Sequence, residues 1–152
     1  MSEPVLRVAR PDDAAALSDL ALRSKGHWGY SAEFLEACRA ELTIRPAQIP
    51  DVVVAEVDGV VAGFRLLVAD GDVAELHALF VDPPFIGSGI GGVLLTEVLA
   101  TARAHGIRLI GLDADPGAEA FYARFGARTT GRTPSGSIPG RTLPHMEFDL
   151  RK

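Results

Sequence analysis

The spacing of apolar residues in the first third of the chain predicts one strand followed by two helices. Residues 5–9 alternate between apolar and polar positions, which is typical of a short strand. An alanine-rich segment from about 12 to 23 then has helical spacing, with acidic residues at its start. Ser31 is an expected N-cap for a second helix that reaches Leu42, and the prolines at 46 and 50 exclude its continuation.

The next third of the chain changes to strand-like patterns. Three segments are rich in valine and other apolar residues: 52–57, 59–69 and 73–81. Asp58-Gly59 and Asp70-Gly71 separate them, and Asp-Gly pairs favour tight hairpin turns. We therefore expect three strands that pair antiparallel in sequence order.

Helical spacing returns over residues 90–105, and Gly106 is a suitable C-terminal cap. The apolar run 107–113 predicts a buried strand, and a short helix is expected at about 117–125. Residues 129–145 are dense in Gly, Pro, Ser and Thr and predict a loop that is long for a compact domain. A last strand is expected in the segment MEFDL, which follows directly.

Composition limits the classes of protein that remain. The 152 residues predict one domain, and 47% hydrophobic with 23% charged residues is an ordinary globular composition. A net charge of −5 argues against nucleic-acid or anionic-membrane partners. The longest stretch without Asp, Glu, Lys or Arg, 83–96, falls short of the roughly 20 residues of a membrane helix. With no basic-then-apolar start and a single cysteine, Cys38, without zinc-like spacing, we expect a cytoplasmic protein without a metal.

A glycine-rich segment at 81–95 joins a predicted strand to a predicted helix, an arrangement that binds phosphates through backbone N–H groups. Gly87, Gly89 and Gly92 fit the dinucleotide fingerprint, and Asp113 follows at a compatible distance. Consecutive hairpins before the loop, however, differ from the parallel βαβ unit of dinucleotide-binding folds. A nucleotide oxidoreductase therefore remains only a third hypothesis.

The same segment resembles the pyrophosphate loop of the GNAT superfamily, the acyl-CoA-dependent N-acetyltransferases. The family motif, Arg/Gln-x-x-Gly-x-Gly/Ala, aligns with Ile86, Gly89 and Gly91, so that an apolar residue replaces the leading polar one. The segment DPGAEAFYARFGA at 115–127 is similar to the family's next motif, with Asp115 in place of an Asn. The resemblance covers nearly the whole chain. It implies one GNAT-like α/β domain over 1–152, with a mixed, mostly antiparallel sheet splayed at the fourth and fifth strands and flanked by helices.

The resemblance also implies a binding site for acetyl-CoA. The pantetheine arm would pair with the backbone of the fourth strand, and the pyrophosphate would lie on the glycine loop. The implied cofactor-binding residues are Leu79, Phe80, Val81, Ile86, Gly87, Ser88, Gly89, Ile90, Gly91, Gly92, Asp115, Ala118, Phe121 and Tyr122.

By the same resemblance Tyr122 is the general acid that protonates the departing thiolate. A general base is less clearly marked. Strand alternation places Glu75 and His77 on one face of segment 73–81, opposite a uniformly apolar face, so these two are the candidate bases; a water chain is the alternative. The aromatic residues Trp28 and Tyr30 are candidates for the wall of the acceptor site.

Together these features predict an enzyme that moves an acetyl group from acetyl-CoA to a primary amine of a small molecule or peptide, by direct transfer in a ternary complex. The alternative hypothesis is a non-catalytic acyl-CoA sensor with the same fold, motivated by Ile86 and by the uncertain base. A homodimer is expected by analogy with the family only.

Overall fold

The computed structural model of the chain describes residues 3–135 and 139–151. Within these ranges the strands are β1 (Val5–Val8), β2 (Val52–Val57), β3 (Val60–Asp70), β4 (Val73–Val81), β5 (Leu109–Asp113), β6 (Arg128–Pro134) and β7 (Thr142–Asp149). The α-helices are α1 (Ala14–Gly26), α2 (Ala32–Leu42), α3 (Ile90–Ala104) and α4 (Glu119–Arg124).

The strands form one mixed sheet in the order β1-β2-β3-β4-β5-β7-β6. Antiparallel pairing joins β2 to β1 and β3, and β7 to β5 and β6. β4 and β5 are parallel, and their pairs join Val73–Glu75 to Leu109–Gly111. This confirms the predicted α/β class with a mixed, mostly antiparallel sheet.

Local signals in the sequence placed most elements correctly. Asp58 and Gly59 have φ of 52° and 79°, and Gly71 has 66°, as expected of the two tight turns. The Ser31 side chain accepts a hydrogen bond from the backbone N–H of Phe34 at 3.1 Å, so the predicted N-cap is confirmed. Gly106, with φ of 73°, follows α3 as predicted. The first predicted helix begins later, because a 3-10 turn occupies Pro11–Asp13.

The predicted loop over 129–145 is wrong. β6 and the start of β7 occupy most of that segment and pair antiparallel, with Arg128 opposite Glu147 and Pro134 opposite Thr142. β6 pairs only with β7 and is almost entirely exposed, so it lacks the apolar alternation that marks a half-buried strand. Residues 136–138 of the predicted loop lie outside the described residues.

Two groups of residues are each compact. The first unit comprises the described residues up to Leu66 together with Ala78–Val98, and the second comprises Leu67–His77 with the described residues from Leu99 onward. The prediction of a single domain therefore stays a prediction.

The first unit buries an apolar cluster beneath the start of α3. Its buried members are Ala55, Val57, Ala62, Ile90 and Leu94, with Leu6, Leu79, Val81 and Phe85 packed against them. A buried ion pair lies in the same unit: the Arg65 guanidinium donates to both carboxylate oxygens of Glu97 at 2.7 and 2.8 Å. Arg65 also donates to the backbone oxygen of Asp51, so each of its three guanidinium nitrogens has a hydrogen-bond acceptor.

In the second unit the buried residues alternate along the strands. The buried apolar positions are Ala74, Leu76, Ile110, Leu112, Met146 and Phe148. Side chains alternate along a strand, so the intervening residues of β4, β5 and β7 lie on the other face of the sheet.

Gly63 of β3 marks a close approach in the first unit. A Cβ added at this position would lie 2.7 Å from the backbone oxygen of Phe80 and 3.2 Å from both Ile90 and Leu94. A backbone oxygen held in a sheet cannot move aside as a flexible side chain can. Only glycine therefore fits here without displacing β4 or α3.

We expect Gly63→Ala to lower the free energy of unfolding by about 1–3 kcal/mol, because the new methyl group overpacks this contact. Urea denaturation measures the change. Gly131→Ala is the matched control, since a Cβ at Gly131 of β6 meets nothing within 4 Å. Equal stability of the two variants would contradict the close approach.

Candidate functional site

The glycine loop lies in the first unit between the end of β4 and the start of α3. A 3-10 turn at Pro83–Phe85 leads into it. Gly87 and Gly89 have φ of 87° and 90°, in the left-handed region that favours glycine. Both are exposed, and Gly91 and Gly92 follow in the first turn of α3. The short path from β4 to α3 thus requires glycine at Gly87 and Gly89, two of the four glycines of the loop.

Backbone N–H groups in the first turn of α3 have no acceptor within the helix, as at any helix N-terminus. Left-handed glycines lie on either side of Ser88, whose own backbone N–H donates to the Phe85 oxygen at 3.1 Å. Main-chain turns of this kind can form concavities that bind anions. The Ser88 hydroxyl is engaged with the backbone oxygen of Phe85 and does not extend from the loop. Ile86 is 37% exposed and offers no polar group. Any phosphate binding by this loop must therefore use the main chain.

An ion pair fixes the start of this loop. The Arg23 guanidinium in the last turn of α1 donates to both oxygens of Asp82 at 3.0 Å each. The backbone N–H of Asp82 donates to Ala62 of β3 at 2.8 Å. Sequence reasoning missed this pair, because nothing local in the sequence relates residues so far apart.

The aromatic segment after α1 lies in the first unit as well. Trp28 is half exposed, and the Tyr30 ring stacks on Phe34 with centroids 4.3 Å apart. The Lys25 ammonium lies 5.5 Å from the Tyr30 centroid and 5.7 Å from that of Phe34. These rings thus already accommodate a cation, which is a suitable property for the wall of an amine site.

Tyr122 lies in α4 of the second unit and is buried. Burial raises the pKa of its hydroxyl, and the negative charge of Asp115 raises that pKa further. Tyr122 therefore stays protonated at neutral pH. Asp115 caps the preceding 3-10 turn by accepting a hydrogen bond from Gly117, and lies 3.9 Å from the Arg141 guanidinium. Phe121 packs edge-on against Tyr122, and Ala118 is half-buried.

Glu75 and His77 of β4 are both exposed, on the face opposite the buried Ala74 and Leu76. The predicted alternation is confirmed. His77 Nε2 lies 3.7 Å from Glu75 Oε2, and both side chains are about half exposed. Water therefore screens this contact strongly.

Sequence reasoning also missed a group of ionisable residues on β5 and β7, formed by Asp113, His145 and Glu147. His145 Nδ1 lies 2.8 Å from Asp113 Oδ1, and His145 Nε2 lies 3.5 Å from Glu147 Oε2. The hydrogen bond that His145 donates to Asp113 raises the pKa of His145, and the charges of Asp113 and Glu147 add to this against the opposing effect of burial. A signal was present, since His145 and Glu147 alternate with Met146 and Phe148. The density of proline and glycine around them obscured it.

Three further features concern metal, thiol and membrane chemistry in the part of the chain that the structure describes. No group of three or more His, Cys, Asp or Glu side chains is placed to hold a metal ion. Cys38 is buried in α2. None of the described helices combines the length and apolarity needed to cross a membrane.

Comparison with known proteins identifies the family. Residues 15–127 match the acetyltransferase (GNAT) family. Since the match covers most of the chain, the protein belongs to this family. The glycine loop and Tyr122 both lie inside the matched region.

Individual relatives agree with this assignment. An uncharacterized N-acetyltransferase of Methanocaldococcus jannaschii, MJ1207, is 41% identical over 58 residues, which is 36% of this chain. The match spans about a quarter of that relative's length (26%). A GCN5-related N-acetyltransferase structure from Rhodopseudomonas palustris is 27% identical, with a TM-score of 0.79 over 99% of this chain and 98% of that one.

A further solved structure shows the same fold. PaiA N-acetyltransferase of Thermoplasma acidophilum, crystallised with coenzyme A, has a TM-score of 0.77 and 22% identity, over 97% of this chain and 99% of that one. The architecture described above is therefore the GNAT fold.

The His145–Asp113 pair predicts a pH-dependent contribution to stability. Because the folded state raises the pKa of His145, the contribution is complete below the pKa of an unfolded histidine, about 6.5. It is lost as the pH rises through the raised value. We expect the difference in Tm between the protein and His145→Gln to be larger at about pH 5.5 than at about pH 9. Melting curves measure it, and a difference that is independent of pH would contradict the pairing.

Proposed function

We propose that the protein transfers an acetyl group from acetyl-CoA to a primary amine of a small molecule or peptide, by direct transfer in a ternary complex. One observation carries the proposal: within the family match, β4 runs into a loop whose left-handed glycines open a long helix. Four glycines in six residues reduce stability unless something requires them. Binding of a pyrophosphate at the helix N-terminus supplies that requirement.

The residues of this loop fit a pyrophosphate without help from side chains. Within 87–92 the Ser88 amide already donates to the Phe85 oxygen, so the other amides of this range would donate to the pyrophosphate, and the dipole of α3 would favour its charge. Family members usually have Arg or Gln where Ile86 stands, and the backbone donors remain after that replacement. Leu79 and Val81 of β4 would contribute main-chain groups to the pantetheine arm, as the family resemblance implies. Phe80 lies between them, and its ring centroid is 5.9 Å from that of Phe64.

Tyr122 is the proposed general acid. In the reaction the amine nitrogen attacks the thioester carbonyl, the new C–N bond forms, and the C–S bond breaks. The departing thiolate takes the hydroxyl proton of Tyr122, and the proton that the acylated nitrogen loses restores that hydroxyl through water. Tyr122 keeps its hydroxyl proton at neutral pH, which this role requires.

The aromatic segment after α1 supports an amine acceptor. Trp28 and Tyr30 offer ring surface, and the Lys25 ammonium near the Tyr30 and Phe34 rings shows that this surface suits a cation. An ammonium group is the resting form of a primary amine at neutral pH. The same segment would therefore hold the acceptor before it loses its proton.

A second candidate function is a non-catalytic acyl-CoA sensor. Ile86 at the position of the family's polar residue favours it. This candidate shares the cofactor with the enzyme and differs in turnover. It predicts acetyl-CoA binding with no product from any amine.

The first test is the shift in Tm with acetyl-CoA, free CoA, NAD(P)H and FAD added separately. A ligand at about 100 times its Kd adds about 2.7 kcal/mol, which raises the Tm of a chain of this size by about 5 °C or more. We expect this shift with acetyl-CoA and CoA only. A shift with a dinucleotide alone would refute the proposal.

Gly89→Ala serves as the variant for this measurement, because alanine is strained at a φ of 90°. Gly71→Ala is the matched control: its φ of 66° imposes similar strain in a turn outside the loop, and neither added Cβ meets an atom within 4 Å. Both variants should melt lower than the parent. Only Gly89→Ala should lose the shift with acetyl-CoA, and an intact shift would exclude the loop as the pyrophosphate site.

Tyr122→Phe should lower kcat by about 10²-fold or more, because the thiolate loses its proton donor. The Tm shift with acetyl-CoA should persist, since the ring remains. Steady-state kinetics with an accepted amine measures the effect. Thr129→Val is the matched control: it removes another hydroxyl, which donates to Glu119 of α4 at 2.6 Å. Full activity of Tyr122→Phe would exclude it as the general acid.

A further inference from the structure

One face of the sheet in the second unit carries an unusual concentration of ionisable side chains. The strand register places Glu75, Gly111 and Glu147 in one row across β4, β5 and β7. Asp113 and His145 form the next pair of the β5–β7 ladder on the same face. The opposite face of these strands is apolar and buried, as described above. The ionisable side chains therefore lie on the face of the sheet opposite the buried apolar one.

Within this group, His145 is held in one orientation. Its Nδ1 lies 2.8 Å from Asp113 Oδ1, and because a carboxylate only accepts, Nδ1 is the protonated nitrogen and donates to it. Nε2 then carries the lone pair when the ring is neutral. The ring is one-third exposed, so a proton taken up at Nε2 can pass to water.

Gly111 provides the room for this ring. A Cβ added to Gly111 would lie 3.3 Å from His145 Cε1 and 3.5 Å from Nε2. Any larger residue in the middle of β5 would press on the edge of the imidazole that bears Nε2. The strand thus carries a glycine, which weakens it, at the one place beside the reactive nitrogen.

The pair is poorly explained by stability alone. Asp113 and His145 are each about one-third exposed, and surface ion pairs contribute little to folding. An imidazole with one nitrogen fixed by a carboxylate and the other partly exposed, beside Glu147 at 3.5 Å, is the arrangement of an oriented base. Glu75 and His77, the bases predicted from sequence, lie farther apart at 3.7 Å and are more exposed.

We propose that His145 is the general base of the acetyl transfer and that Asp113 is its positioning residue; this rests on the proposed function. The acceptor ammonium gives one proton to Nε2, which leaves a neutral amine and an imidazolium paired with Asp113. The amine then forms the C–N bond as the C–S bond breaks, Tyr122 protonates the thiolate, and the second proton of the amine nitrogen passes through water to the Tyr122 phenolate. The imidazolium returns its proton to water. Glu147 lies 3.5 Å from Nε2 and faces the incoming positive charge.

Several charged groups lie near His145 in the sheet, and two of them, Asp113 and Glu147, raise its pKa. Asp113 comes from β5 and Glu147 from β7 itself; Arg128 of β6 is opposite Glu147, and Glu75 of β4 lies across Gly111. Asp113 has the largest effect and raises the pKa of His145. The active form has neutral His145, so kcat/KM should rise with pH and level off above that pKa. Removal of the Asp113 charge should move this rise to lower pH.

The test is the pH dependence of kcat/KM between about pH 5.5 and pH 9.5, with saturating acetyl-CoA and any accepted amine. His145→Gln should lower kcat/KM by about 10²-fold and abolish the rise with pH. Asp113→Asn should keep measurable activity and shift the midpoint of the rise toward acid. A residue that only stabilised the strands would lower Tm without moving this midpoint.

Matched controls lie in the same unit. His105→Gln removes an exposed histidine whose Nδ1 contacts the backbone oxygen of Thr101, and Asp72→Asn removes the partner of Arg108. Both controls should retain the parent profile. The Tm shift with acetyl-CoA checks that each variant is folded and binds the donor.

The outcomes separate the two proposals. Turnover by the parent with an unchanged profile in His145→Gln overturns the role of His145 and leaves the acetyltransferase proposal standing. A rise with pH that disappears in His77→Gln but persists in His145→Gln also overturns it, in favour of His77. A parent that binds acetyl-CoA and acetylates no amine refutes the proposed function, and the role of His145 with it.

Discussion

The start of α3 depends on one close contact in the first unit. Gly63 allows the backbone of β3 to approach Phe80 of β4 so closely that a methyl group has no space, and Ile90 and Leu94 pack over the same point. The helix therefore begins immediately after β4, with only a turn and the glycine loop between them. Left-handed glycines follow as a requirement of that short path. The exposed amides of the loop are thus a consequence of how tightly the strands and helix pack.

Charged residues in the same unit hold this arrangement at two further points. Arg65 and Glu97 form a bidentate pair that links β3 to α3, and Arg23 forms another with Asp82 before the loop. The first pair is largely buried, and loss of either partner would leave an uncompensated charge in the interior. Such pairs specify where an element lies more than they add to stability. Here both specify the position of the elements on either side of the loop.

The sequence predicts features whose cause is local. The Asp-Gly turns, the Ser31 cap and the glycine after α3 were all placed correctly, because each depends on the backbone preferences of one or two residues. β6 and the start of β7 could not be predicted in this way, although the strand expected in MEFDL is present as the end of β7. Pro134 lies at the end of β6 and Pro144 near the start of β7, where proline is tolerated, yet the density of breakers is typical of a loop. Their pairing depends on residues elsewhere in the chain.

The candidate site likewise contains features with a local cause and features that depend on residues far apart in the chain. Motif resemblance indicated the glycine loop and Tyr122, since both occur in short contiguous segments. The contact of His145 with Asp113 joins residues 32 positions apart and exists only through the β5–β7 register, which the wrong loop prediction concealed. The burial that raises the pKa of Tyr122 is likewise a property of the folded chain. Sequence patterns thus identify candidate residues, and only the pairing of strands shows which of them are in contact.

Ile86 has a wider consequence for how this loop would recognise a phosphate. An arginine contributes charge from a side chain, which one substitution can remove and which salt screens. A loop without that side chain relies on peptide dipoles, whose directions are set by torsion angles at Gly87 and Gly89. The information for recognition then resides in the shape of the backbone. Such a site can lose every polar side chain during divergence and still present the same donors, provided that its glycines persist.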